Sequence, residues 1–313
     1  MTLGFLTGCL SGMTLDEKMA YAHRVGFTSL DVSCWPCHNT RDYSGSDIDT
    51  ENLTDEDVVQ IKEWQEKYHL VFSSLAYYDN MLHPDEATRK GYYEHLKSVI
   101  LAAERLGTPL VGCFIGKNHQ KSLKENFDDF EVLFTDLVGF AEEHHVKLMI
   151  ENCPMPGWQE DGLPGTISYS PELWDEMFRR VPSKSFGLNF DPSHLKWLGI
   201  DHIRALKEYK DRIFHIDAKD VVVNKANLYR YGCFGKKLDR KNSEDLGYWT
   251  PVIPGLGDIN WMTFYDAMQG IGYDGAFSIE HEDRHFSGTN ELVMKGLEFS
   301  YQYLHFITEN LGK

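Results

Sequence analysis

No stretch of this sequence comes near the roughly 18 consecutive apolar residues that a membrane-crossing helix needs, so a membrane is not an expected partner. The first residues, Met1-Thr2-Leu3-Gly4-Phe5-Leu6, carry no basic segment ahead of the apolar ones. They read as a first strand and not as a secretion signal. Cysteine is scarce, six in 313 residues. That does not suit a disulfide framework in so long a chain, and a reducing cytoplasm is the expected home. Runs of Lys or Arg are missing too, and the formal net charge is −17. Nucleic-acid binding rests on cationic side chains against phosphate; this field would repel a polyanion, so nucleic acid is not an expected partner either.

Other absences narrow the fold. A doubly wound open sheet carries a Gly-rich phosphate turn after its first strand, but Gly8 and Gly12 flank Cys9-Leu10-Ser11 without that spacing. No linker, internal repeat or low-complexity tract divides the chain. No serine lies in a nucleophile elbow, which sets a serine hydrolase aside.

What is present is a regular alternation. The composition, 42% hydrophobic and 25% charged, is that of a globular protein able to bury a large core. Strands are expected at 3–10, 29–34, 70–77, 110–115, 147–152, 186–190, 213–217 and 276–280. Helices are expected between them at 14–25, 54–68, 85–106, 122–144, 171–180, 202–209 and 261–270, with a last one at 291–307. Thr54-Asp55-Glu56-Asp57 puts acids in a first turn, and Ser170-Pro171-Glu172 offers an N-cap with Pro at the first helical position. Eight strands alternating with eight helices predict an α/β fold, one (β/α)8 TIM barrel over residues 1–313. The longest irregular stretch, 221–258, follows the seventh strand on the face where barrels keep their chemistry. It is expected to act as a lid or as a contact with a partner subunit or a second copy.

The last four of these strands carry the chemistry. Glu151, Asp191, His215 and Glu280 each stand at the carboxyl end of an apolar run, 24 to 65 residues apart. Parallel strands gather those ends on one face, so the four side chains are expected to converge on one divalent ion. Oxygen donors with one nitrogen suit Mn²⁺ first, with Mg²⁺, Co²⁺ or Zn²⁺ also compatible. His194, three residues after Asp191, is placed to touch a substrate oxygen. Lys219 lies on the same side of an extended chain as His215 and is placed to hold a sugar hydroxyl or a developing alkoxide.

The segments Ile150-Glu151-Asn152, Asp191-Pro192-Ser193-His194, His215-Ile216-Asp217-Ala218-Lys219-Asp220, Pro254-Gly255-Leu256-Gly257-Asp258 and Ile279-Glu280-His281-Glu282-Asp283 follow one another as in a known family. The chain resembles the sugar phosphate isomerase/epimerase family, the xylose-isomerase-like TIM barrels, over nearly its whole length. The resemblance implies metal ligands at Glu151, Asp191, His215 and Glu280, a substrate contact at His194, and a small carbohydrate as substrate. Ketose 3-epimerases of the family use an Arg a few residues after the third ligand; this chain has Lys219 at a different spacing.

A mechanism follows from the two glutamates. A carbonyl and a neighbouring hydroxyl bound to the cation stabilise the enediolate formed when the C–H proton leaves. With Glu151 and Glu280 reaching in from different strands, one removes the proton and the other returns it from the opposite face. That is epimerisation; return to the adjacent carbon is isomerisation, and loss of a β-oxygen is elimination. The first reading is therefore an isomerase or epimerase of a sugar or sugar derivative. The alternative is a lyase acting on an inosose or a 3-keto-glycoside, including C- or O-glycoside cleavage. An abasic-site endonuclease would need more His ligands and a basic face. A purely binding protein would not need two opposed glutamates. Cys34-Trp35-Pro36-Cys37-His38 matches a dithiol or haem-attachment pattern but precedes a polar loop, so Trp35, His38 or Tyr43 is read as pocket rim instead. Trp158 and Trp249 are candidates for stacking on a sugar, and His144-His145 falls on the stability face.

Overall fold

The computed structural model describes residues 1–37, 45–158, 164–242 and 245–311. Its strands are β1 (Thr2–Phe5), β2 (Ser29–Ser33), β3 (Val71–Ala76), β4 (Leu110–Cys113), β5 (Lys147–Glu151), β6 (Phe186–Phe190), β7 (Ile213–Ala218), β8 (Asp220–Val223), β9 (Trp249–Val252) and β10 (Ala276–Ile279). Eight of them form one parallel sheet in the order β1-β10-β7-β6-β5-β4-β3-β2. A parallel bridge between Leu6 and Asp31 brings β2 back to β1, so the sheet curls into a nearly closed barrel. The barrel strands are almost entirely buried, as sheets covered on both faces must be.

Ten α-helices accompany them among the described residues: α1 (Leu15–Val25), α2 (Asp55–Tyr68), α3 (Glu86–Leu106), α4 (Leu123–Glu143), α5 (Pro171–Arg180), α6 (Pro192–Leu198), α7 (His202–Glu208), α8 (Lys225–Tyr231), α9 (Trp261–Gly270) and α10 (Asn290–Leu311). Thr14, Thr54 and Ser122 start their helices with complete capping boxes closed by Glu17, Asp57 and Glu125. Each box satisfies backbone donors that a helix start would leave unpaired. Aromatic packing joins layers: Phe130 and Phe134 of α4 pack at a tilt, and Phe178 of α5 edge-on, against Phe186 of β6.

The stretch 221–258 is not irregular, contrary to the sequence expectation. Asp220–Val223 pairs antiparallel with Trp249–Val252, and α8 lies between them. Trp197, Val221, Leu246 and Tyr248 form a small second core beneath this pair. Asp220, fully buried, anchors its return. Its carboxylate accepts hydrogen bonds from the backbone N–H groups of Val221, Gly255, Gly257 and Ile259 and from Trp261 Nε1, all at 2.8–3.2 Å. The Pro254–Asp258 loop thus wraps a single carboxylate. A Cβ on Gly257 would collide with it, which accounts for glycine there.

Candidate functional site

Glu151 is the last residue of β5, Glu280 follows β10, and Asp217 lies near the end of β7. Ligand-capable oxygens of these three lie within 4.8 Å of one another. Asp191 follows β6 as the N-cap of α6, its Oδ1 accepting from the Ser193 N–H at 2.7 Å. Asn152, next to Glu151, fixes Asp191 from the other side: its amide exchanges hydrogen bonds with the Asp191 backbone N–H and carbonyl at 2.7 and 2.9 Å. Lys219 Nζ stands among the acids, 2.8 Å from Glu280 Oε2, 3.0 Å from Asp191 Oδ2, 3.8 Å from Glu282 Oε1 and 4.0 Å from Glu151 Oε1.

His194, on the first turn of α6, points Nε2 at Glu151 Oε1 and Asp191 Oδ2, each 3.1 Å away. Its Nδ1 accepts from the indole N–H of Trp197 at 3.2 Å, which leaves the ring proton on Nε2, facing the carboxylates. Trp197 in turn stacks on Trp249 of β9, ring centroids 4.8 Å apart and planes within 5°. The insert therefore reaches the site through two indoles. Trp158 instead packs edge-on against Phe114.

His215 is not with the other three expected ligands. It is fully buried one layer deeper, two residues earlier on β7, with its Nδ1 3.6 Å from Asp217 Oδ1. Its Nδ1–H donates to Asn189 Oδ1 at 2.8 Å, and Nε2 lies 3.3 Å from the Ser73 hydroxyl. The group around it is Asp31, His215 and Asp217, with Ser74 donating to Asp31. Asn189 ties the two layers together, its Nδ2 donating to Asp217 Oδ2 at 2.7 Å and to the Tyr78 hydroxyl at 3.0 Å. Asp217, Asn189 and Trp197 are the residues that sequence reasoning passed over. The signal for Asp217 was the two-residue period that aligns 215 and 217 on one face of β7, with 219 just past its end.

The electrostatics are those of excess negative charge. Burial, reinforced by Glu151 and Asp31, pushes the Asp217 carboxyl well above the carboxylate range. Burial also pushes Glu280 up, with Lys219 opposing and Glu151 adding to it. For Asp191 burial acts upward, yet Lys219 and His194 prevail and hold it low. Lys219 is held well above its usual value because Asp191 and Glu280 outweigh its own desolvation. Asp191 Oδ2 and Glu280 Oε2 are both buried and receive no hydrogen bond of proper geometry, although the ammonium is close. Their charge is met by ion pairs with Lys219, and for Asp191 with His194 as well; buried carboxylates need such a partner, and a metal cation fills that role without directional demands. The donor set present fits a divalent metal.

A sequence model of the xylose isomerase-like TIM barrel family matches residues 19–303. The chain belongs to that family. Inosose dehydratase of Geobacillus thermodenitrificans is 27% identical over 148 residues, 47% of this chain and 46% of that protein, so the match spans less than half of its length. Among solved structures, a D-tagatose 3-epimerase-like protein superposes with a TM-score of 0.69 at 20% identity, covering 99% of this chain and 100% of its own. The IOLI protein with a binding zinc atom superposes with a TM-score of 0.72 at 18% identity, covering 99% of each chain. At these identities the superpositions establish the xylose isomerase-like fold. Cys34 and Cys37 are free, and Cys34 is buried; Trp35 is buried as well, while His38 and Tyr43 lie outside the described residues. His144 pairs with Glu104 at 2.8 Å beyond the end of α4. No described helix is long and apolar enough to cross a membrane.

Proposed function

We propose that this barrel is a metal-dependent enzyme that moves a proton on the carbon beside a carbonyl of a sugar or sugar derivative, as an isomerase or epimerase. The observation that carries the reading is the placing of two glutamates, the buried Glu151 at the end of β5 and the half-buried Glu280 just after β10, with their oxygens in one carboxylate cluster. Glu151, Asp191 and Glu280 would hold a divalent ion, which when bound polarises the carbonyl and its neighbouring hydroxyl as a Lewis acid. One glutamate removes the C–H proton and the other returns it from the opposite side. His194 presents its Nε2–H to Glu151 and Asp191. It orients those oxygens and stands ready to donate to a substrate oxygen. Lys219 offers an ammonium to the oxyanion that develops as the proton leaves.

A second reading is supported by the inosose dehydratase match: the same proton abstraction followed by loss of a β-oxygen, on an inosose or a 3-keto-glycoside. Incubating Mn²⁺-loaded protein with ketoses, inososes and 3-keto-glycosides in D₂O and following carbon-bound deuterium by NMR separates the outcomes. Deuterium at an inverted centre means epimerisation, at the adjacent carbon isomerisation, and an unsaturated product means elimination. No exchange into any member of the panel would contradict both readings.

A further inference from the structure

We infer that Asp217 is the fourth metal ligand and that the centre is an all-oxygen site, suited to a hard divalent cation such as Mn²⁺ or Mg²⁺ and with a smaller advantage for Zn²⁺ than a histidine-containing site would have. The inference rests on the metal reading above and adds the ligand and the selectivity. Oxygens of Asp217, Glu151 and Glu280 are already within ligand-sharing distance, and Asp191 joins them around the Lys219 ammonium. The imidazole expected in this set is committed elsewhere. Both nitrogens of His215 are engaged, by Asn189 and Ser73, and to reach the upper layer the ring would have to leave a fully buried niche. Asn189 meanwhile orients Asp217 by donating to Oδ2, the kind of support that fixes a metal ligand. Two oxygens of the set, on Asp191 and Glu280, make no hydrogen bond of proper geometry and converge on the Lys219 ammonium at 3.0 and 2.8 Å, which marks that point as one where the fold gathers these oxygens around positive charge.

Charge and softness decide the ion. Four carboxylates against one ammonium leave a surplus of negative charge that a dication reduces. Zinc draws much of its protein affinity from nitrogen and sulfur donors, whereas carboxylate sets suit Mg²⁺ and Mn²⁺. Two rival arrangements exist among the described residues. Asp31, His215 and Asp217 form a deeper group, and Glu151, Cys153 and His194 another; each would put an imidazole on the ion.

The test uses full-length protein stripped of metal and titrated with MnCl₂, read by calorimetry and by pulsed electron paramagnetic resonance. One Mn²⁺ per chain is expected, without modulation from a directly bound nitrogen. Asp217→Asn should weaken Mn²⁺ at least about tenfold. Asp217→His should bind, show nitrogen modulation, and shift the Zn²⁺-to-Mn²⁺ affinity ratio towards zinc by about tenfold or more. His215→Gln should leave Mn²⁺ affinity within about twofold of the parent. A directly bound nitrogen in the parent protein overturns the all-oxygen assignment, and its loss in His215→Gln or His194→Gln identifies the ring responsible. Unchanged Mn²⁺ affinity in folded Asp217→Asn overturns the role of Asp217 alone. A parent protein that binds no Mn²⁺, Mg²⁺ or Zn²⁺ removes the metal reading itself.

Discussion

The indole N–H of Trp197 decides which nitrogen of His194 carries the proton, and with it what His194 can offer to Glu151 and Asp191. Replacing Trp197 by Phe keeps an aromatic ring against Trp249 but removes the donor. A neutral hydrogen bond of this kind contributes about 0.5–1.5 kcal/mol, so kcat/KM should fall by about 2- to 10-fold while bound metal is unchanged. Nitrogen NMR of selectively labelled histidine would show a single Nε2-protonated ring in the parent and a tautomer mixture in Trp197→Phe. The same ring signals in both would show that Trp197 does not position His194. At this scale the expected convergence is seen for Glu151, Asp191 and Glu280, which the structure brings around Lys219, whereas on β7 it is Asp217 and not His215 that lies with Glu151 and Glu280. Strand pairing aligns Glu151 with Asn189 and Asn189 with His215, so a flat sheet would have put the imidazole beside Glu151. Barrel strands are tilted, by about one residue per strand in a (β/α)8 barrel. Over two strands the layer through Glu151 therefore climbs from His215 to Asp217.

Among the elements, long amphipathic helices were legible almost to the residue. The expected 171–180 and 261–270 match α5 and α9 as observed, and Thr14, Thr54, Asp85 and Ser122 are caps just outside their helices. Short elements stabilised by distant partners were not. The pair Asp220–Val223 and Trp249–Val252 joins segments with 25 residues between them, and Pro251 inside the second disguises it as loop. The seven-residue α6 was hidden by the Asp191-Pro192 junction, read only as a site motif. The contact between α7 and α9 gives a pH-dependent consequence. His202, at the start of α7, stacks on Phe264 of α9, and burial, aided by Lys196, lowers its pKa to about 4. The unfolded chain takes up the proton near the ordinary value of 6.5 and the folded one only near 4, so this site favours unfolding progressively as pH falls through that window. His202→Phe removes the penalty. Relative to its own stability at pH 7, it should lose on the order of 2–3 kcal/mol less than the parent by pH 4.5, read from urea midpoints. Equal losses in the two proteins would show that His202 is not held as a half-buried neutral ring.

For the whole molecule, the regular alternation of strand and helix was enough to give the barrel, because eight parallel strands with helical crossovers bury both sheet faces in that architecture. The net charge of −17 is a property of the same scale. It opposes polyanions and makes a pocket of buried carboxylates more dependent on a counter-cation, in line with the upward displacement of Asp217 and Glu280. All of this converges on one claim, that two glutamates at a metal centre pass a substrate proton between them. The most direct measurement is carbon-bound hydrogen exchange with D₂O, by NMR, in metal-replete Glu151→Gln and Glu280→Gln proteins with a substrate turned over by the parent. The amide keeps the size and one oxygen ligand but is not a base at neutral pH. Turnover should fall about 10²- to 10⁴-fold in each, with substrate affinity changed far less. Near-parental exchange in both metal-replete variants would contradict the two-glutamate mechanism.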